Sequence, residues 1–226
     1  MINKSLSIFF ILLLFSCAKD GKNIYVEGRV VNPVTGEGIP NIKMELWKLT
    51  ATVSGSGIDG KIVKEVMTDD QGNFVLDHNG SLFNAYLVRL TYELDNTNGI
   101  GYHRVGWKDA NGNILQGHNL EVDKGQYMNV RYELVPYGKM RIWHRNLNCF
   151  NTNDSIHIFR VDEFHYTDGD YKRYGCIIDE QQGYYTVPMG DVFLSWTVYR
   201  ENNSPQTFSD VFNFSTNDSM TYIIEY

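Results

Sequence analysis

The stretch Tyr25-Val26-Glu27-Gly28-Arg29-Val30-Val31 alternates between side chains suited to a core and side chains suited to water. The stretch Ile42-Lys43-Met44-Glu45-Leu46-Trp47-Lys48-Leu49 continues the same alternation further along the chain. A period of two places successive side chains on opposite faces of a strand. β-branched and aromatic residues, which favour strands, fill many of these positions. Both stretches therefore predict β-strands with one buried face and one open face.

Similar short runs recur along the rest of the chain. They occupy residues 61–68, 73–77, 85–94, 126–135, 139–143, 155–161, 184–187, 192–199, 207–214 and 220–226. Clusters of Gly, Asn, Asp or Pro bound nearly all of them, as is typical of strands separated by turns. No window long enough for a helix carries the apolar stripe of an amphipathic one. The pattern predicts an all-β fold built from sandwiches.

Two of the connecting segments are near copies of one another. They read Asp69-Asp70-Gln71-Gly72-Asn73 and Asp109-Ala110-Asn111-Gly112-Asn113. In each, the Asp side chain can cap the local backbone while the Gly takes a left-handed conformation. Neither has the spaced acidic residues or the terminal Glu of an EF-hand calcium loop. We therefore expect hairpin turns at both places.

Three motifs in this order resemble the transthyretin-like module known as the carboxypeptidase regulatory-like domain. They are the strand at 25–31, the turn Thr35-Gly36-Glu37-Gly38-Ile39-Pro40-Asn41-Ile42, and the hairpin Thr68-Asp69-Asp70-Gln71-Gly72-Asn73-Phe74. The resemblance covers roughly residues 24–135, and it implies a β-sandwich. These motifs are structural, and the module carries no zinc ligand or catalytic residue of a peptidase, so it implies a fold and not a reaction.

The length and pattern predict two tandem domains. The transthyretin-like sandwich is expected over residues 24–136, and an Ig-like sandwich, suggested by pattern alone, over 137–226. The boundary is placed near Pro136-Tyr137-Gly138, where one strand ends at a proline and another begins. Each part has about 100 residues, enough to bury a core of its own.

Residues 1–16 predict a signal peptide, because Lys4 precedes an apolar run that ends at Ser16. The run is about half the roughly 20 residues needed to span a bilayer. The ending Leu14-Phe15-Ser16-Cys17 resembles the bacterial lipobox, which implies that Cys17 is lipidated, with palmitate-type acyl chains. The polar segment 17–23 is then a tether. More than one acyl chain on Cys17 would give stable membrane anchoring.

The lipobox, the transthyretin-like motifs and the second β domain together resemble surface lipoproteins of Bacteroidetes-type bacteria, a group of unknown function. Some of these accompany outer-membrane polysaccharide uptake systems. The resemblance implies an outer-membrane, lipid-anchored protein at the cell surface, and Lys19-Asp20 partly matches the export signal of that group.

Composition excludes some partners. The chain of 226 residues has 20 basic and 27 acidic side chains and a formal net charge of −7, so nucleic acid is not an expected partner. Its histidines and cysteines show no zinc spacing, and we expect neither a metal nor a cofactor. Carboxylate pairs such as Asp168/Asp170 would suit a hydrolase, but any acidic surface offers such pairs. The chain is therefore predicted not to be an enzyme.

Cys149 and Cys176 are the cysteines that remain after Cys17. In an exported protein such a pair is a candidate disulfide. The alternative is two buried thiols that act as small apolar side chains. The sequence leaves both interpretations open.

A tyrosine-rich segment is the candidate ligand-binding site. Its candidate residues are Tyr166, Tyr171, Arg173, Tyr174, Gln182 and Tyr184. Aromatic faces beside planar polar side chains suit a sugar, whose CH groups stack on rings while amides and carboxylates bind hydroxyls. Tyrosines on strands also commonly pack against cross-strand neighbours, which is the alternative interpretation.

Three functions are compatible with these observations. The leading hypothesis is a membrane-anchored, non-catalytic binding or accessory module for glycan capture alongside a polysaccharide uptake system. The alternative is a structural or anchoring subunit of a cell-surface assembly, with a surface protein as partner and strand addition as the means. The third is a cryptic hydrolase.

Overall fold

The computed structural model describes residues 23–50, 59–81, 84–91, 101–115, 118–164, 171–176, 180–181, 183–216 and 218–226. Cys17, Tyr166 and Gln182 of the predicted sites lie outside these residues. The described regular structure is β-strand throughout, and no helix occurs in these ranges. The prediction of an all-β fold made of sandwiches is confirmed.

Sixteen strands make up the described structure. In chain order they are β1 (Asn23–Val31), β2 (Lys43–Thr50), β3 (Asp59–Met67), β4 (Asn73–Asn79), β5 (Tyr86–Leu90), β6 (Tyr102–Asp109), β7 (Ile114–Leu115), β8 (Leu120–Glu121), β9 (Tyr127–Arg145), β10 (Ser155–Asp162), β11 (Tyr171–Tyr174), β12 (Glu180–Gln181), β13 (Tyr185–Pro188), β14 (Gly190–Tyr199), β15 (Gln206–Phe214) and β16 (Ser219–Glu225).

These strands form two compact units. Described residues within Met1–Leu94 and Gly106–Leu134 form the first unit, and those within Asp95–Val105 and Val135–Tyr226 form the second. The chain passes from one to the other along β9, whose first half pairs with β1 and whose second half pairs with β13 and β16. The predicted limits of 24–136 and 137–226 describe two domains that each fold independently, and these limits stay a prediction.

The first unit consists of two sheets around one core. One sheet has the order β4-β1-β9-β6-β7, with β1 antiparallel to β4 and parallel to β9, and the other has the order β3-β2-β5-β8. Val26, Leu46 and Leu76 are fully buried between them. Trp107 is also fully buried, and its ring meets that of Tyr132 edge to face at 4.6 Å. The alternation in β1 and β4 leaves the other face of these strands open.

The second unit is likewise a sandwich. In one of its sheets the second half of β9 lies between β16, which is parallel to it, and the short antiparallel strands β12 and β13. The other sheet has the order β11-β10-β14-β15. The buried residues that fill the core are Met140, Ile142, Ile156, Ile158, Val187, Val192, Leu194, Val198, Phe214, Ile224 and Tyr226.

The two near-copied segments are turns of one design. The Asp69 carboxylate accepts backbone N–H groups of Gln71 and Asn73 at 2.9 and 2.8 Å, and Asp109 does the same for Asn111 and Asn113 at 2.8 Å each. The glycine of each segment has a positive φ, 81° in the first turn and 86° in the second. These bonds stabilise the ionised carboxylates, and the largest contribution to the lowered pKa of each Asp comes from the neighbouring Asn side chain.

Candidate functional site

Tyr171, one of the predicted ligand-binding residues, faces the interior of the second unit. It is half-buried, packs against the core, and places its hydroxyl 3.0 Å from Nε2 of the buried His144. Arg173 lies on the same side of β11, with its guanidinium 5.0 Å from the Tyr171 ring centre. Tyr171 therefore packs inside the second unit, which is the role that the alternative interpretation gave to the tyrosines.

Tyr174 and Tyr184 lie elsewhere in the second unit. Tyr174 is three residues after Tyr171 in the same strand, so it faces outward, with 65% of its surface exposed. Tyr184 lies beside the sheet of β9 and β16, where the Arg141 guanidinium covers its ring at 4.6 Å. The hydrogen bond between its hydroxyl and Thr221, at 3.2 Å, lowers the pKa of Tyr184. Of the described candidates, Tyr171 and Arg173 lie on the inner side of β11, and Tyr174 and Tyr184 lie on two different outer faces, so they do not form one platform.

Cys149 and Cys176 are joined by a disulfide. Their Cα atoms are 5.3 Å apart, within the usual range for a bridge. Cys176 is exposed and follows the end of β11, while Cys149 lies in the loop after β9. The bridge therefore ties the edge strand β11 to that loop.

The outer face of the β11-β10-β14-β15 sheet carries an apolar patch. Antiparallel register aligns Val161, Phe193 and Val211 in one row across three strands. Phe159 lies diagonally beside Phe193, close enough for their side chains to meet. Phe159 and Phe193 are each 39% exposed, and Val211 is 56% exposed. We call these four residues the apolar patch.

Polar rows flank this patch toward one end of the sheet. Ser195 and Ser209 are directly paired, and Thr197 hydrogen-bonds Thr207 at 2.9 Å between their hydroxyls. Beyond them lie Tyr174 and Tyr199, the latter with the Lys172 ammonium 5.9 Å from its ring centre. On the other side of the apolar patch, Asn213 donates to its register partner Asp191 at 2.8 Å, so polar residues lie at both ends of the patch.

The strand β15 is the last one in the described order of that sheet. Its inward side chains continue the core as an aromatic cluster, in which Phe208 stacks on Trp196 at 5.7 Å and Phe212 meets Tyr222 at 4.6 Å. The Tyr222 hydroxyl donates to Asp210 at 3.0 Å. Burial, helped by this bond to a carboxylate, raises the pKa of Tyr222 to about 12. The cluster stabilises the edge of the sandwich.

The outer face of β4, β1 and β9 in the first unit has a different composition. Tyr25 and Tyr127 are register partners on adjacent strands, and their rings stack at 5.5 Å between centres with an angle of 24°. Tyr25 is 39% and Tyr127 58% exposed. One row further along, Glu27 lies opposite Asn129. The hydrogen bond between the Tyr127 hydroxyl and Glu27 raises the pKa of Tyr127.

A shallow depression of about 350 Å³ adjoins these residues. Its lining residues are Glu27, Gly28, Arg29, Asn73, Phe74, Val75 and Asn129. The Arg29 Nε donates to the carbonyl of Gln71 at 2.8 Å, and the Asn73 side chain donates to Asp69 at 3.1 Å. We call Tyr25, Tyr127, Glu27, Asn129, Arg29 and Asn73 the tyrosine face. Sequence reasoning missed it, although residues 25, 27 and 29 and residues 127 and 129 each share a strand face by period two.

The buried charged groups serve the structure of the first unit. Glu45 accepts hydrogen bonds from Trp47 at 2.7 Å and Thr91 at 2.8 Å. Burial raises the pKa of Glu45, but these bonds and that from Arg89 outweigh it, so the net pKa is lowered. Glu133 is paired with Lys108 and Arg131, each at 2.8 Å. Within the described residues, no three His, Cys, Asp or Glu side chains are grouped to hold a metal ion.

No helix in the described part of the chain is long and apolar enough to cross a membrane. The predicted lipidation residue Cys17 lies outside that part, so its role stays a prediction.

Comparison with known proteins finds solved structures of low sequence identity. No protein-family model and no curated protein matches the chain, so both family resemblances stay predictions. Solved structures that resemble it include a minor pilin of Streptococcus agalactiae, with 10% identity over 89% of this chain and 94% of that one, and a TM-score of 0.34. The shaft pilin SpaA of Lactobacillus rhamnosus GG matches with 9% identity over 91% and 97%, and a TM-score of 0.31. Scores this low indicate nothing about what the chain binds.

Proposed function

We propose that the chain is a non-catalytic structural or accessory subunit of a cell-surface assembly, held at the outer membrane by lipid on Cys17. The observation that carries the proposal is the apolar patch of the second unit. Single exposed apolar residues are normal on protein surfaces, whereas contiguous apolar patches rimmed by polar residues are typical of interaction sites. The partner is therefore another surface protein that covers this patch.

The composition of the sheet face supports a protein partner. Phe159, Phe193 and Val211 supply apolar area at its centre, and the serine and threonine rows supply a polar border. An apolar centre with a polar rim is the usual anatomy of a protein interface. Aromatic side chains at the centre of such a surface commonly contribute much of the binding free energy.

The anchor is proposed from the lipobox resemblance at Leu14-Phe15-Ser16-Cys17. Replacing the acylated thiol by Cys17→Ser should release the protein from the membrane fraction, because the preceding apolar run is too short to span a bilayer. Retention of the variant in washed membranes would contradict the lipid anchor.

The assembly proposal is tested on the full chain in its own membrane. Cross-linking on intact cells should shift the chain from its own mass to a complex of defined larger mass. Phe193→Asp places a charge in the apolar patch and should abolish that complex. Ile114→Asp is the matched control, since Ile114 is 80% exposed and lies in the first unit. An unchanged complex in Phe193→Asp would contradict the proposal.

Glycan capture is the second candidate function, and the tyrosine face favours it over a purely structural role. Its exposed rings adjoin a carboxylate, a guanidinium and two amides. The sequence predicted this combination of groups around Tyr171 and Tyr174, but it occurs at a different place in the chain.

A further inference from the structure

We infer that the tyrosine face of the first unit binds a neutral polysaccharide. The inference rests on the second candidate function and gives it a site and a ligand class. It is independent of the assembly proposal, because the tyrosine face belongs to the first unit and the apolar patch to the second.

The rings provide the apolar part of the site. Tyr25 and Tyr127 are both substantially exposed although they stack on one another, so aromatic surface remains available to a ligand. The CH-bearing side of a sugar ring is apolar and can lie against such a surface. The mutual stacking fixes both rings, so binding requires little further ordering of either side chain.

The second row provides hydrogen-bonding groups. Glu27 offers carboxylate oxygens that accept from sugar hydroxyls, and the Asn129 amide can both donate and accept. Both side chains interact with the Tyr127 hydroxyl. A ligand on the rings would therefore meet polar groups that are already aligned with them.

The rim of the depression is held in place by the turn at 69–73. Arg29 is bound to the Gln71 carbonyl, and Asn73 is bound to the Asp69 carboxylate. These two bonds fix the rim of the depression, and ligand-binding sites are usually largely pre-formed in this way. Rows on these strands are about 7 Å apart, since two residues span that length. The site therefore extends along the strand, which suits a chain of sugars better than a single one.

The charges on this face favour a neutral ligand. Glu27 lies beside Arg29 in the depression, so neither sign dominates. Asp77 is paired with the Lys64 ammonium, and Glu133 is paired with both Lys108 and Arg131 at 2.8 Å. The Asp69 carboxylate adds a second negative charge beside Arg29. An acidic polysaccharide would need an excess of cations that the face does not have.

The experiment uses the purified full-length protein in affinity gels that contain single soluble polysaccharides. The neutral probes are barley β-glucan, xyloglucan, galactomannan and dextran, and the acidic probe is polygalacturonate. The native protein should be retarded by at least one neutral probe. Tyr25→Ala and Tyr127→Ala should each weaken that binding roughly three- to tenfold, the usual range for one aromatic contact.

Two further variants separate this site from its alternatives. Tyr127→Phe keeps the ring and should keep most of the binding, whereas Glu27→Gln removes the charge and should weaken it. Tyr174→Ala is the matched control, because Tyr174 is more exposed than Tyr25 and Tyr127 but belongs to the second unit. Melting temperatures of the tyrosine variants should change little, since the rings of Tyr25, Tyr127 and Tyr174 are exposed.

Three results would overturn the inference. The first is that no neutral probe retards the protein, and the second is that polygalacturonate alone does. The third is that Tyr174→Ala loses binding while Tyr127→Ala binds as well as the native protein. None of these depends on the cross-linked complex of the assembly proposal. Failure of one proposal is therefore distinguishable from failure of the other.

Discussion

The outer face of the first unit and that of the second are built from the same alternation of side chains and yet differ in chemistry. Across β1 and β9 the outward positions hold Tyr25, Tyr127, Glu27 and Asn129. Across β10, β14 and β15 they hold the apolar patch, with polar side chains at both ends of it. The sandwich fold fixes where outward positions lie, and the residue types there decide whether a face suits sugars or proteins.

The two faces also differ in the strands that carry them. The tyrosine face lies on a continuous ladder, in which seven residues of β1 pair with β9 and seven with β4. The four-residue strand β11 borders the other face, and the disulfide holds its end. Damage to the disulfide should therefore affect only the second face.

The largest expected effect comes from removing the disulfide. The bridge joins residues 27 apart, and closing such a loop stabilises by about 3–4 kcal/mol in the chain-entropy treatment. Cys149→Ser with Cys176→Ser should lower the free energy of unfolding of the second unit by that amount. Hydrogen exchange of β10 and β14 amides would measure it, and amides of β1 serve as the internal control. Equal losses in both units would contradict separate supports.

The second-largest expected effect is a difference in stability between variants of two tyrosines in β11. Tyr171→Ala removes a half-buried ring from the core together with its bond to His144, and should destabilise by about 2–3 kcal/mol. Tyr174→Ala removes an exposed ring and should change stability by less than about 0.5 kcal/mol. Denaturant titration of each variant measures the difference. Equal effects would contradict the opposite orientation of the two side chains.

These two tyrosines also show what sequence could and could not predict. Alternation predicted most of the long strands of both units, because the hydrophobic period is a local property of the chain. It missed β6 and β11, and the expected strand end at Pro136 is wrong, since β9 runs unbroken from Tyr127 to Arg145. The same rule places Tyr171 and Tyr174 on opposite faces, since they are three residues apart. Counting tyrosines within a segment, without regard to period, led to the prediction that they share a surface.

The tyrosine face could not be predicted from local pattern. Tyr25 and Tyr127 are distant in sequence and meet only because β1 and β9 pair in parallel with those two residues in register. Parallel pairing requires a long crossover, and no short-range signal fixes its partner or register. Period two could show that Tyr25 shares a side with Glu27, but not which strand lies beside them.

A smaller effect distinguishes the two near-copied turns of the first unit. A Cβ at Gly72 would press on the Val30 carbonyl oxygen and lie 2.8 Å from the Ile39 nitrogen, whereas a Cβ at Gly112 would meet nothing within 4 Å. Gly112→Ala should therefore cost only the left-handed backbone penalty of about 1 kcal/mol, and Gly72→Ala about 2 kcal/mol. Thermal unfolding of the two variants measures this.

Gly72 also lies in the turn that holds Arg29 and Asn73 at the depression. Gly72→Ala should therefore weaken binding of the retarding neutral polysaccharide, and Gly112→Ala should not. If both variants bind equally well while differing in stability, the turn supports the fold but not the tyrosine face.

The smallest effect is a dependence on alkaline pH that differs between two tyrosines of the second unit. Burial and the bond to Asp210 raise the pKa of Tyr222 to about 12, against about 10 in an unfolded chain. The neutral phenol is thus favoured by folding, so its contribution is complete below pH 10 and is lost as pH rises from about 10 through 12. The bond to Thr221 lowers the pKa of Tyr184, so folding favours its phenolate. Ultraviolet titration of Tyr222→Phe should lack one phenolate that forms near pH 12, and that of Tyr184→Phe should lack an early one. If the absorbance step near pH 12 is as large in Tyr222→Phe as in the native protein, Asp210 does not hold that hydroxyl in its protonated form.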